Sequence, residues 1–193
     1  MQNISVIALI AIMVSSLVVF ILENFRHRLI AMIAIYLSEF ILVALVWPIG
    51  LALIKFIIGT ICIVVLFTVN YPEKTSTNIY KNVSYQMLKA VVAILIWLIV
   101  FYFSNRIFVL IPTNQYLLKG SLTLIGLGII QVGFISETKS VIIGLLMFFA
   151  GFEILHSAIE ASVLLAGLLA SVNLGLSVAG AYLLSNRTEE RIL

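Results

Sequence analysis

Nineteen consecutive residues, Ile4–Leu22, carry no charge, and apolar runs of similar length recur along the whole chain. A helix rises ~1.5 Å per residue and the hydrocarbon layer of a bilayer is ~30 Å thick, so each run has the length of one crossing. The later runs are Leu29–Trp47, Leu51–Val69, Met87–Phe103, Leu117–Ile135, one from Lys139 to about Ile159, and a last one ending near Leu184. Seven crossings consume most of 193 residues and leave no room for a soluble catalytic domain. The expected fold is therefore an all-α integral membrane protein of about seven transmembrane helices. Composition agrees: 63% of the residues are hydrophobic and 10% charged, where a soluble domain has about half and about a quarter.

The first run has no basic segment before it and no small-x-small cleavage site ahead of Glu23, so it reads as a retained span and not as a signal peptide. The connections follow from the breakers. Glu23-Asn-Phe-Arg-His-Arg28 separates the first two spans, and Pro48 with Gly50 supplies a tight turn before the third. Asn70–Gln86 is the longest polar segment and reads as a central linker. Arg106, Pro112, Thr113 and Asn114 mark an irregular connection, with Ile107–Ile111 as a short apolar piece at the interface. Between Gly151 and Gly167 there is neither Gly nor Pro, and the last turn is placed near Glu160 because about 45 residues of unbroken helix would overrun a bilayer. Three units result: residues 1–70, a linker with a connecting helix over 71–116, and 117–193.

With the N-terminus outside, the inner side collects Arg26, Arg28, Lys74, Lys81, Lys89, Lys139, Arg187 and Arg191, and the outer side only Arg106 and Lys119. The excess of basic residues on cytoplasmic loops then orients the chain with its N-terminus outside and its C-terminus in the cytoplasm.

Self-comparison exposes a repeat. Glu23 precedes Glu39 by 16 residues, Glu137 precedes Glu153 by the same 16, and both pairs share an offset of 114. Each half has one span before and one after its buried acid, so two three-helix units, joined by one extra helix, are expected to run parallel.

Glu39 stands in Ala34-Ile-Tyr-Leu-Ser-Glu-Phe-Ile-Leu42 with no opposite charge within a helical turn. A carboxylate at that depth costs about 2.5–3.5 kcal/mol on insertion-type scales. The cost points to a proton site, with a protonated packing residue as the plainer alternative. Glu153 repeats the situation, and His156 and Glu160 follow it at one-turn spacing, so three titratable groups are expected along one stripe. The plainer alternatives are a neutral helix-bonding His156 and a Glu160 solvated at the turn. Lys55, inside the third span, is the only cation expected to be buried; it either snorkels toward the Pro48 turn or pairs with Glu39. Asn173, midway along the last span, is a neutral counterpart, with interhelical hydrogen bonding as its simplest role. Small residues at Ala166, Gly167, Ala170, Ser171, Gly175, Ala179 and Gly180 allow close helix approach, within the chain or against a partner.

Hydrolase, nucleotide-binding and haem motifs are missing from the sequence: it has no HExxH, P-loop, GxSxG or paired histidine set. The single cysteine, Cys62, lies in an apolar run, which leaves no disulfide or cysteine-ligated metal site within the chain. No cofactor is expected.

The passage "GLLMFFAGFEILHSA" followed by "LLASVNLGLSVAGAYLL" resembles the small three-span subunit K (chain 4L) of respiratory complex I. Gly151-Phe-Glu153 matches that family's glutamate motif, whereas Asn173 stands where its second acid is expected. The resemblance covers about the last 70 residues. Seven spans with such a C-terminal half further resemble component E of hydrogenase-4-type membrane complexes, in which an acid with a nearby histidine and a lysine in an earlier span correspond to Glu153, His156 and Lys55. The resemblance implies a subunit of a bacterial or archaeal inner-membrane assembly, without redox centre of its own, that contacts antiporter-like subunits and contributes to a proton or sodium path. The rival expectations are a purely structural scaffold subunit and a stand-alone transporter of small ions or solutes.

Overall fold

A computed structural model describes residues 2–69, 79–110, 114–134, 137–160 and 162–189. Every regular element among them is helical: α1 (Gln2–Ile21), α2 (Phe25–Val43), α3 (Ile49–Phe67), α4 (Ile79–Leu110), α5 (Gln115–Phe134), α6 (Thr138–Ile159) and α7 (Val163–Glu189). Six of the seven are long and apolar enough to cross a bilayer. The expected seventh, α2, falls short by composition because Arg26, Arg28 and Glu39 lie within it. It is shielded instead by protein, packing against α1, α3, α5 and α6.

Helix boundaries follow local chemistry, and six of them correct the sequence expectation. α2 starts at Phe25, four residues before the apolar run, because the Asn24 side chain accepts the His27 amide at 3.1 Å and caps the helix. It ends at Val43, and residues 44–47 form a turn ahead of Pro48, which disfavours helix in the residue before it. Gly50 therefore belongs to α3 and not to the turn. Arg106 and the piece Ile107–Leu110 continue α4 without interruption: a single arginine is a good helix former, and the breaker is Pro112. α4 also takes up Ile79–Gln86 of the expected linker, and α7 runs through Ser185 into the polar tail. Linker residues 70–78, with Pro72, Glu73 and Lys74, as well as Pro112, Thr113 and Arg191, lie outside the described residues. The last turn falls where expected, between Ile159 and Val163.

Two contacts between distant segments fix which ends lie together. Trp47 Nε1 donates to the Ser157 carbonyl at 2.9 Å, joining the α2–α3 turn to the end of α6. At the opposite end Arg28 donates through Nε to the Val19 carbonyl at 3.0 Å and through Nη1 to Ser140 Oγ at 2.9 Å, tying α2 to α1 and α6. α5 and α6 approach backbone to backbone: a Cβ built on Gly151 would sit 2.7 Å from the Ser121 carbonyl, and one on Gly128 2.7 Å from the Phe148 amide nitrogen. The apolar core fills the space around α2 with Leu29, Met32, Ile35 and Leu42 against Ile143, Leu146, Met147 and Ile154. The outward faces of α3, α4 and α7 expose Ile54, Leu98, Val109, Leu164 and Tyr182, as helices bathed in lipid do.

Candidate functional site: a buried carboxyl pair with one lysine

The site lies where α2, α3, α6 and α7 converge. Its depth follows from helix register: Glu39 sits 14 residues into α2 and Glu153 15 residues into α6, so two neighbouring helices bring both acids to similar depth. Glu39 is 2% exposed and Glu153 5%. Their carboxyls interact directly.

Donors are unequally shared between the two acids. Glu153 Oε1 accepts from Asn173 Nδ2 at 2.5 Å. Glu153 Oε2 is 3.8 Å from Lys55 Nζ, and the same ammonium donates to the Glu153 backbone carbonyl at 3.3 Å. Neither oxygen of Glu39 has a hydrogen-bond donor among the described residues. A contact between two carboxyls becomes a hydrogen bond only when one of them carries a proton. The bonding pattern therefore favours Glu153 as the ionised partner, held by Lys55 and Asn173, and Glu39, which lacks a donor, as the carboxylic acid of the pair. One ammonium and two carboxyls are neutral together with a single proton on the carboxyls, the state that costs least in a medium without water.

This arrangement corrects one expectation. Lys55 neither snorkels to the Pro48 turn nor pairs with Glu39; its ion pair is with Glu153. The reason is the α6 backbone: the ammonium finds both a carboxylate and a carbonyl at Glu153, whereas Glu39 offers it no contact within ion-pair distance. Lys55 also lies 4.9 Å above the Trp47 ring, a cation–π contact that shields the ammonium on the side facing the turn.

His156 is buried one turn beyond Glu153, with both ring nitrogens lacking partners among the described residues. Its ring meets that of Trp47 edge on at 6.0 Å, so Trp47 contacts both Lys55 and His156. Glu160 does not join the cluster. It closes α6 with its amide bonded to the His156 carbonyl at 2.9 Å, and its side chain is exposed. The expected stripe of three thus consists of two buried groups and one solvated carboxylate at the helix end. Asn173 is the interhelical hydrogen bonder expected of it, and its partner is the acid itself.

Several contributors carry no signal of their own in hydropathy. Trp47 closes the second apolar run, next to Pro48. Tyr36 is one turn before Glu39 on the same face, and Ser177 one turn after Asn173, spacings that would have identified both. Lys55 is not the only buried cation: Lys89 and Arg28 are each 1% exposed, and Arg28, which by composition belongs to the connection before the second span, lies inside α2, where Gln131 and Ser140 extend a second buried polar group with Gln131 Nε2 donating to the Ser140 carbonyl at 3.1 Å. The place of Arg28 three turns from Glu39 on one face follows from the helical repeat, but its burial depends on α1 and α6 closing over it.

Among the described residues, no group of three or more His, Cys, Asp or Glu is arranged to hold a metal ion. No protein-family profile, curated protein or solved structure matches this chain.

Proposed function

We propose that the chain is a non-redox subunit of the membrane arm of a complex I-like or energy-converting hydrogenase-like assembly, in which the Glu39–Glu153 pair takes up and releases a translocated proton. The observation that carries this reading is the pair itself, two carboxyls in contact inside apolar helices with donors enough for only one of them. Structural packing needs no second carboxyl there. A transfer site does, because a proton arriving at the pair leaves a unit positive charge in oil, and its departure on the other side restores neutrality.

Lys55 holds Glu153 ionised in the resting state, and its flexible stem allows the ammonium to withdraw when the pair gains a second proton. Asn173 fixes the Glu153 carboxylate without competing for the proton. His156 then relays toward the α6–α7 turn, where Glu160 meets solvent; the arginine and lysine distribution makes this the outer side. Sodium is the alternative ion for the same carboxyls.

The internal repeat belongs to the same proposal. Ile49 and Val163, the first residues of α3 and α7, are separated by 114 residues, the offset of Glu39 from Glu153 and of Gly59 from Asn173. α1 packs on α5, α2 on α6 and α3 on α7, as two parallel three-helix units facing each other would. The partners proposed are antiporter-like membrane subunits, for which the exposed apolar faces of α3, α4 and α7 offer room.

Replacing Glu153 with Gln in the assembly purified through this chain tests the reading: proton translocation in inverted vesicles falls while the other subunits still co-purify. Normal pumping by that variant removes the relay role. The scaffold reading draws on Gly167 and Gly175, where an added Cβ meets nothing within 4 Å inside the chain, so both are open to another helix. In a scaffold, Glu153→Gln leaves both co-purification and proton translocation by the assembly unchanged, whereas Gly175→Leu drives the partners off.

A further inference from the structure

The buried polar groups do not end at the carboxyl pair. Tyr36, one turn before Glu39 on α2, is 2% exposed, and its hydroxyl has no hydrogen-bond partner among the described residues. Ser177, one turn past Asn173 on α7, is fully buried, and its hydroxyl is equally without a partner. Asn173 Oδ1 adds a third such oxygen. The Cys62 thiol of α3 faces the Ser177 hydroxyl, and the Tyr36 hydroxyl lies in the neighbourhood of Cys62, Glu39 and Glu153. The Tyr36 ring is seated on Gly59, where a Cβ would fall 2.5 Å from its Cδ1, so the glycine fixes the ring between α2 and α3 one turn from Cys62.

All of these groups lie on one side of the pair. Moving from Glu39 to Tyr36, from Asn173 to Ser177 and from Lys55 to Cys62 leads in each case away from the turns that hold Trp47, His156 and Glu160. Three helices thus bring buried polar atoms to one region, each too buried to meet bulk water, and the Tyr36, Ser177 and Asn173 oxygens lack hydrogen-bond partners among the described residues. Hydroxyls and an amide oxygen present both donors and acceptors, which suits water and matches neither an apolar ligand nor a bare anion.

We infer that Tyr36, Ser177, Asn173 and Cys62 hold a small group of buried waters between α2, α3 and α7 that continues the polar file past the carboxyl pair, opposite His156. Its use as the supply side of the relay rests on the proposed function; the existence of the waters does not. Tyr36 and Ser177 are positioning residues here, since they hold the waters and not the translocated proton.

Cys62 is the one thiol in the chain, which makes it a reporter. The full-length protein, reconstituted in lipid, is transferred to deuterated buffer, and the Cys62 S–H stretch is followed by infrared spectroscopy. The comparison is Met32→Cys in a Cys62→Ser background, because Met32 lies in the dry core of α2. Exchange at Cys62 is expected to be at least about tenfold faster than at the Met32 site, and the double substitution Tyr36→Phe, Ser177→Ala slows it toward the dry rate. A Cys62 thiol that exchanges no faster than the one at position 32, or a rate that the double substitution leaves unchanged, overturns the inference. Neither result depends on whether protons are pumped, so a failure of the relay proposal and a failure of the water site are told apart.

Discussion

Lys55 grips Glu153 twice, with its ammonium 3.8 Å from the carboxylate and 3.3 Å from the backbone carbonyl of the same residue. A side chain on α3 is thereby locked to a single position on α6, and the one opposite formal charge beside each partner is the other's. Removing one leaves an uncompensated ion.

Lys55→Met and Glu153→Gln should therefore each destabilise the protein by about 3–5 kcal/mol, while the double variant recovers much of the loss. Thermal unfolding in detergent, arranged as a double-mutant cycle, checks this; additive losses would mean that the two groups do not act as a pair.

Asn173 supplies a donor to Glu153 at 2.5 Å. Asn173→Ala should cost about 1.5–3 kcal/mol, the range for a hydrogen bond to a charged group. Asn173→Asp should be worse at neutral pH, because it places an acceptor against a carboxylate, and should recover on acidification as one of the carboxyls protonates. Melting temperatures of the two variants at two pH values decide the point; an Asp variant as stable as wild type at neutral pH contradicts the donor role.

Glycines of similar appearance differ sharply in what they permit. Gly151→Ala drives a methyl into the Ser121 carbonyl and the Ile125 amide nitrogen of α5, backbone atoms that cannot yield, whereas at Gly175 nothing lies within 4 Å. The first substitution should destabilise by about 1–3 kcal/mol and the second leave the isolated chain unchanged. Comparing the two in detergent, where no partner subunit is present, separates packing inside the chain from packing against a neighbour.

Arg28 joins three helices through bonds from two different nitrogens, to Val19 on α1 and Ser140 on α6. A lysine ends in one ammonium on a flexible stem and does not reproduce the planar fork. Arg28→Lys should lower thermal stability despite keeping the charge, and limited proteolysis should find the α1–α2 connection opened first. Unaltered stability would mean that charge alone matters at this position.

What the amino-acid order determined is the set of helices and the depth of the acids. Apolar runs long enough to cross a bilayer, interrupted by Pro48, Pro112 and short polar knots, dictate helices through local forces, because in hydrocarbon a backbone must satisfy its own hydrogen bonds. The apolar runs around them placed Glu39 and Glu153 well inside their helices, and the spacing of Glu153 and His156 put both on one helix face. The helix ends were less legible, since Arg106 and Ile79–Gln86 look like connection in composition and continue α4 in fact.

Tertiary structure alone decided who meets whom. Lys55 answers Glu153 and not Glu39, Arg28 disappears beneath α1 and α6, and Trp47 comes to touch both an ammonium and an imidazole. Hydropathy reports how deep a residue lies but not which helices flank it. In oil the choice of neighbours is made by close packing and by the few polar groups that must find partners. Glu160 shows the same limit from the other side: its spacing put it in line with Glu153 and His156, but α6 ends at Ile159, and the chain turns there into solvent.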